Sequence, residues 1–355
     1  MFFFLIIVTF ILLSLGHKES RPLLYILYFL LFIVSVGVSG GNDVMNDEIH
    51  FDNPFAGTDS EDRSYVYEIY MMFIRSLGLD FLQFRIVNFF IWSIPLLCLL
   101  FKYSRYPVYV FALCFFFPIL TFASQMRNGT AMSFLYWGLY LYFTNNKKLL
   151  GGIGLAVCLF IACVIHSVSY VYFVCFIALS RKIGTVFLLR VCTIVAALFF
   201  FFISSGLLYE IVALLFSEYY ANFYFNEIEP FSFGNSNVFV GILINIWFTY
   251  KAAQIQELNN NKMDNMYISF SHFVLRLNIL LLAFCPLMLI SLTFYRIYQN
   301  VYFLSAMSVA NAAAYNLGKG KTMSNLYVVF YFIVTFFYIY GQGEFLLGWD
   351  NLKLL

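Results

Sequence analysis

Long apolar runs decide what this chain can fold into. Ten of them lie near 2–16, 22–39, 82–101, 107–124, 129–145, 185–206, 236–252, 267–291, 297–316 and 325–342, separated by short polar breaks. A helix that crosses the hydrocarbon layer of a membrane needs about 20 apolar residues, within a range of about 17–25. An eleventh run, 149–180, is too long for one crossing and carries His166 and Ser167 at its middle. Read as two short helices meeting there, it brings the expected total to about twelve spans. Composition agrees: 63% of the 355 residues are apolar and 11% are charged, against about 25% charged in a soluble domain. So few polar residues cannot cover a solvated surface, and so apolar a chain is not disordered. The expected fold class is an all-α polytopic integral membrane protein, with residues 1–355 as one transmembrane domain.

The first sixteen residues resemble a signal peptide in their apolarity. They lack a basic leading segment and a small-residue cleavage site, so they read as a short first span. The net charge of +2 and the absence of any basic run do not point to nucleic acid. The seven cysteines (98, 114, 158, 163, 175, 192 and 285) all fall in apolar runs without a CxxC pair. They read as small buried hydrophobes, not a disulfide framework or a zinc site. No Walker or GxGxxG pattern occurs, and no cofactor is expected.

Orientation follows from the placement of Lys and Arg, which accumulate in cytoplasmic loops. The short loops His17–Arg21, Lys102–Arg105, Lys147–Lys148, Arg181–Lys182 and Lys319–Lys321 hold the basic excess. Placing all of them in the cytoplasm requires 149–180 to be a hairpin and puts both termini outside. The outer side then receives the acidic stretch 40–65, with seven carboxylates and one Arg, and the stretch 207–235, with Glu210, Glu218, Glu227 and Glu229. Segment Tyr65–Leu79 is shorter and more polar than the spans. Tyr67, Ile69, Tyr70, Phe73, Ile74 and Leu77 recur on it at helical spacing, which predicts an amphipathic helix at the outer interface within an outer loop spanning 40–81. No internal repeat suggests an inverted-repeat transporter.

A charge at membrane depth costs about 2.5–3.5 kcal/mol on insertion scales and usually faces a working cavity. Arg127 lies in SQMRNGTAMS, between two spans at their outer ends, with Gln125 before it and Asn128 after it. An arginine at a helix N-terminus suits a diphosphate, because the guanidinium fork matches phosphate oxygens. A snorkelling interfacial arginine explains it equally well. His166 is a candidate base or phosphate donor, or a satisfied polar residue at a hairpin tip. Arg296, in LTFYRIYQNVYF beside Tyr298, is a third outer-side group, or part of an aromatic–basic belt. Arg276 lies roughly mid-span and is a candidate for a cavity. Arg190 reads as snorkelling inward, and His272 as structural or near the cytoplasm. Asp43, Asp47, Glu48 and Glu68 are candidate bases or sugar ligands, although most acidic loop residues are simply solvated. Outer tyrosines and Trp349 suit sugar stacking or a belt.

Residues SQMRNGTAMSFLYWGLYLYFTNNKK, a following apolar run, and CVIHSVSYVYFVCFIALSRK together resemble the core of the EpsG/Wzy-type polysaccharide polymerases. YEIYMMFIRSLGLDFLQFRIVNFFIW resembles the family's upstream stretch, and YRIYQNVYFLSAM its late Arg-aromatic element. The resemblance covers roughly residues 40–316, in order. Arg127 is followed by Asn-Gly where the family often has Gln-Gly, and the first loop lacks a clean Asp-Tyr…Tyr pattern. The resemblance implies a bacterial enzyme with a fold like the metal-independent C-type glycosyltransferases. It joins undecaprenyl-diphosphate-linked oligosaccharide repeats at the outer face of the plasma membrane. A hydroxyl of one repeat attacks the anomeric carbon of the donor chain, and undecaprenyl diphosphate leaves. In that scheme Arg127, Arg296, Arg276 and Asn128 hold the diphosphate. His166, Glu68 or Asp47 acts as base, and Gln125, Tyr298 and Asp43 contact sugar. A chain-length regulator and a flippase are the protein partners implied. The alternatives are an O-antigen ligase-like transferase, a polysaccharide flippase or transporter, and a membrane acyltransferase, which an outer-side His166 disfavours.

Overall fold

The computed structural model describes residues 2–37, 42–53, 65–180, 182–215, 222, 233–259, 261, 264–290, 292–315 and 319–341. Among them every regular element is helical. In chain order the helices are α1 (Phe2–Gly16), α2 (Arg21–Gly37), α3 (Asn42–Asp52), α4 (Tyr65–Ser76), α5 (Phe81–Tyr103), α6 (Pro107–Cys114), α7 (Thr121–Ser124), α8 (Met126–Thr144), α9 (Lys148–Ile165), α10 (Cys175–Leu179), α11 (Thr185–Ser204), α12 (Leu207–Leu215), α13 (Phe233–Leu258), α14 (Asn265–Leu281), α15 (Arg296–Tyr315) and α16 (Lys319–Gly341).

Six stretches of the described residues are long and apolar enough to cross a membrane: Phe81–Tyr103, Pro107–Ser124, Lys148–Ile165, Thr185–Ser204, Val238–Leu258 and Asn265–Met288. Leu5–Gly16, Arg21–Gly37, Ser167–Leu179 and Thr322–Thr335 are shorter apolar helices. Against the expected total of about twelve spans, six stretches of the described residues meet the length and apolarity of a full crossing, and four apolar helices are shorter. Helix α8 opens on Arg127, Asn128 and Thr130, and α15 carries Gln299, Asn300 and Asn311, all but Arg127 buried. Those polar residues lower the apolarity of helices that are otherwise of spanning length.

Two compact units result, Met1–Phe173 with Ala313–Leu355, and Val174–Ala312. In the first, α5 packs on α8, and α8 packs on α9 along most of its length. A Cβ added at Gly138 would meet Leu155 Cδ1 at 2.9 Å and Cys158 Cβ at 3.0 Å. Small residues of this kind are what bring membrane helices together, since lipid offers no hydrophobic incentive to associate. Side-chain bonds tie distant segments of the same unit: Tyr109 Oη with Ser324 Oγ at 2.7 Å, and Tyr28 Oη with Ser93 Oγ at 2.8 Å. The stretch 107–124 is broken around Pro118, where a π-turn (Phe115–Ile119) separates α6 from α7 and Phe117 is extended. The run 149–180 is interrupted at His166, as expected. His166 is extended (φ −146, ψ 115) after α9, and the chain resumes as a 3-10 turn from Ser167.

The second unit is held by a buried amide cluster. Asn245 Nδ2 donates to Asn278 Oδ1 at 3.0 Å and to Ser305 Oγ at 3.1 Å, and Asn278 Nδ2 donates to Ser305 Oγ at 3.1 Å. These bonds join α13, α14 and α15, where an unpaired amide in hydrocarbon would be costly. Helix α11 exposes Val186, Phe187, Ile194 and Phe201, a surface suited to lipid.

Helix α4 starts at Tyr65 as expected and ends at Ser76, short of the expected Leu79, before the left-handed Gly78; its faces also differ from the expected single stripe. Tyr67, Glu68, Met71 and Ile74 are buried, whereas Ile69, Phe73 and Leu77 are exposed. At about 100° per residue these sets lie on different faces. The helix therefore has one apolar face in the protein and a second one outside it. The acidic stretch 40–65 contains α3, a helix without apolar periodicity. The Asp43 side chain, residues 54–64, Arg181, Glu218, Glu227, Glu229 and Trp349 lie outside the described residues.

Candidate functional site

The first unit gathers polar groups where α3, α4, the first turns of α5, and the start of α8 meet. Helix α5 is started firmly. Gly78 takes φ +79 in the Leu-Gly turn, a left-handed value natural to glycine. Asp80 then forms a capping box with Gln83: Gln83 N donates to Asp80 Oδ1 at 2.8 Å, and Asp80 N donates to Gln83 Oε1 at 3.0 Å. This start directs Phe84, Arg85 and Asn88 inward, all buried. Arg85 Nη2 donates to the Ser35 carbonyl of α2 at 2.5 Å, and the carboxylates of Asp47 and Glu48 act on its charge.

At the start of α8, no side chain caps the helix. Asn128 Nδ2 donates to Gln125 Oε1 at 3.3 Å, and both residues are buried. One turn along, Thr130 Oγ1 donates to Asn88 Oδ1 at 2.6 Å, which fastens α8 to α5. Gly129 is closely covered: a Cβ there would stand 2.8 Å from the Phe122 carbonyl oxygen. Arg127 is half-buried on this turn.

Helices α3 and α4 close the corner. Arg75 Nη1 donates to the Asp52 carbonyl at 2.5 Å, joining their ends. Tyr67 is buried and stands among Asp47, Tyr70, Arg127 and Thr130. Burial pushes its phenol well up, and Asp47 and Tyr70 add to this; Arg127 and the Thr130 side chain pull the other way. Tyr70 is also pushed up by burial. Tyr67, Tyr70 and Phe84 pack with ring centroids 5.5–6.3 Å apart. Glu68 is buried on the same helix. The structure thus brings Asp47, Arg127, Asn128 and Gln125 into one corner of the first unit. Glu68 and His166 belong to the same unit; His166 is buried at the end of α9, the helix on which α4 packs.

Arg85, Asn88, Tyr67 and Tyr70 are site residues that the sequence reading passes over. Arg85 had a usable signal, a charge inside an apolar run with Asn88 one turn later. Three of these groups matter for ligand chemistry. Arg85 Nε, Asn88 Nδ2 and Tyr70 Oη are buried without a hydrogen-bond partner among the described residues. All three are donors, and each such group costs about 1–3 kcal/mol when left unmet. A molecule rich in acceptor oxygens, such as a phosphate or a sugar, would meet them.

Three expected site residues belong to the second unit. Arg296 opens α15, half-buried. Tyr298 is buried, and its hydroxyl donates to the Leu281 carbonyl beside Cys285 Sγ. Arg276 has three of its guanidinium N–H groups on backbone carbonyls. It donates to the carbonyls of Ala178 at 2.9 Å, Ile183 at 2.5 Å and Ile177 at 3.1 Å, tying α14 to the turn after α10. Arginine at helix-terminal carbonyls favours the negative end of the dipole. Among the described residues no group of three or more His, Cys, Asp or Glu side chains is placed to hold a metal ion.

Fold and site together define a polytopic helical membrane protein with a buried site of arginines, carboxylates, amides and tyrosines, suited to an oxygen-rich ligand. The sequence matches the EpsG family over residues 20–346, and the chain belongs to that family of Wzy-type polysaccharide polymerases. Membership supports a polysaccharide polymerase role. Comparison with curated proteins and with solved structures finds no match.

Proposed function

We propose that the protein joins undecaprenyl-diphosphate-linked oligosaccharide repeats into a glycan chain at the outer face of a bacterial plasma membrane. The observation that carries this reading is the buried Tyr67, on whose phenol both Asp47 and Arg127 act, in a member of the EpsG family. Arg127 binds the diphosphate and stabilises the charge that develops as it leaves. Arg85 Nε, Asn88 Nδ2 and Tyr70 Oη supply further donors to the oxygen-rich substrate. Asp47 is the base that takes the proton of the attacking hydroxyl, with His166 and Glu68 as supporting groups in the same unit. The bond formed joins the acceptor oxygen to the anomeric carbon; the bond broken is that carbon's link to the diphosphate oxygen, which keeps the electron pair.

Reconstitution of the purified protein with lipid-linked repeats tests this. The wild type is expected to give a ladder of lengthened glycans, and Arg127→Ala to give none while still inserting in the membrane. Arg296→Ala tests the arginine of the second unit on its own. Full activity in Arg127→Ala removes the diphosphate-binding role. Transfer of a single block to another lipid marks a ligase, and movement of substrate without lengthening marks a flippase; either result overturns the reading.

A further inference from the structure

We propose that the second unit carries a separate site for the phosphate group of an anionic phospholipid, in the cleft between the first turns of α11 and α14. The cleft has a volume of about 580 Å³ and is lined by Gly184, Thr185, Asn265, Ser269, His272 and Arg276, among others. This is ample for a phosphate head group with its glycerol, since ligand sites commonly run about 300–1,000 Å³.

The lining is rich in donors. Arg276 is 6% exposed. Its three carbonyl bonds use three of the five guanidinium N–H groups. The other two remain uncommitted among the described residues, on a side chain that forms the cleft wall. Gly184 is the N-cap of α11 and no side chain caps that helix. A Cβ at Gly184 would meet nothing within 4 Å, so the N-cap of α11 stands beside open space, at the helix end where the first-turn N–H groups lack intrahelical acceptors. Thr185 adds a hydroxyl, and His272 adds an imidazole, one-third exposed. Two acids lie close by. Glu257 is 2.9 Å from His272 Nε2 and largely exposed, so it holds the imidazole without entering the lining. Asp264 is committed to the N-terminus of α14, accepting from Met266 N at 3.0 Å.

The surroundings favour a lipid over a soluble anion. Directly after Thr185, helix α11 exposes Val186 (64%), Phe187 (63%) and Ile194 (60%). A head group in the cleft lays its acyl chains along that face. Lys182, in the preceding turn, adds a juxtamembrane positive charge of the kind that gathers anionic lipid. By the loop-charge rule this is the cytoplasmic leaflet.

Native mass spectrometry of the full-length protein, taken up from mixed phosphatidylglycerol and phosphatidylcholine, tests the site. The wild type is expected to retain phosphatidylglycerol in preference to phosphatidylcholine. A His272→Gln/Thr185→Val double variant leaves Arg276 and the cleft volume in place. It is expected to retain about five-fold less, whereas His272→Lys keeps retention and shows that the position tolerates change. Arg127→Ala, in the other unit, is expected to retain the lipid as the wild type does, so failure of the polymerase reading leaves this one standing. Equal retention of the two lipids, or equal retention by wild type and double variant, overturns the proposal. So does displacement of the lipid by millimolar inorganic phosphate, which assigns the cleft to a free anion.

Discussion

Arg85 lies one turn into a spanning helix, where a bare charge is costly. It is tolerated because the Ser35 carbonyl accepts from Nη2 and two carboxylates of α3 lie within electrostatic reach. That arrangement makes a prediction. Arg85→Met is expected to lower chain lengthening at least about ten-fold, a loss of about 1.4 kcal/mol of transition-state stabilisation, with insertion intact. Arg85→Lys is expected to recover part of it, since the charge returns without the planar fork. Wild-type ladders from Arg85→Met would show that the buried guanidinium is structural only. Tyr67 and Tyr70 carry a pH prediction. Both phenols are pushed above their ordinary value, so the folded state favours the neutral form. Their contribution is fully present below about pH 10, the ordinary phenol value, and is lost as pH rises toward the folded values. Thermal stability should fall more steeply above about pH 10 in the wild type than in Tyr67→Phe/Tyr70→Phe; parallel curves would remove the tyrosines as the cause. Arg127 stands out in the sequence because polar neighbours surround it between two apolar runs. Arg85 carries a weaker signal, a single charge in a mostly apolar run, and its partners come from distant segments: the Ser35 carbonyl of α2 and the carboxylates of α3.

At the scale of elements, close approach is the informative quantity. Gly129 sits in the same turn as Arg127, where an added methyl would stand 2.8 Å from the Phe122 carbonyl oxygen and 2.9 Å from Phe122 Cβ. Neither is the free end of a flexible side chain, so α7 and α8 must separate. Gly129→Ala is expected to cost about 1–3 kcal/mol, the range for overpacking, and to lower activity by shifting Arg127. Gly152, within α9, has nothing within 4 Å of its added Cβ. Gly152→Ala is expected to be neutral or stabilising by up to about 1 kcal/mol, from helix propensity. Thermal unfolding in detergent compares the two, and a similar change in both would mean that Phe122 yields easily. The break at His166 and the start of α4 were legible because each is a departure from a simple apolar period. Helix α3 was not, because NDVMNDEIHFD has no stripe to read and is placed by its neighbours. The amides of α13, α14 and α15 each look like an isolated polar residue until the fold brings Asn245, Asn278 and Ser305 together.

For the whole molecule, the crossing pattern fixes the side on which the Asp47–Arg127 corner lies. Four helical stretches separate Asn53 from Asn146: α4, α5, the α6–α7 stretch, and α8; α4, at 12 residues, is too short to cross, which leaves three. Helix α5 and the α6–α7 stretch are long and apolar enough to cross. Helix α8 has 19 residues but opens on buried polar groups, so composition alone does not count it. If all three cross, Asn53 and Asn146 lie on opposite sides, whatever the total number of spans. The basic turn Lys147–Lys148 then puts Asn146 inside and the Asp47–Arg127 corner outside. The native cysteines are buried, apart from a half-buried Cys98, and give little background to a membrane-impermeant maleimide. Asn53→Cys is therefore expected to label when only the outer face is accessible, and Asn146→Cys only after permeabilisation. Labelling of both from outside would mean that α8 enters the membrane without crossing it, as a helix lining the site. Labelling of Asn146→Cys alone from outside would place Arg127 in the cytoplasm, away from any substrate delivered to the outer leaflet, and the polymerase scheme would have to be turned over with it.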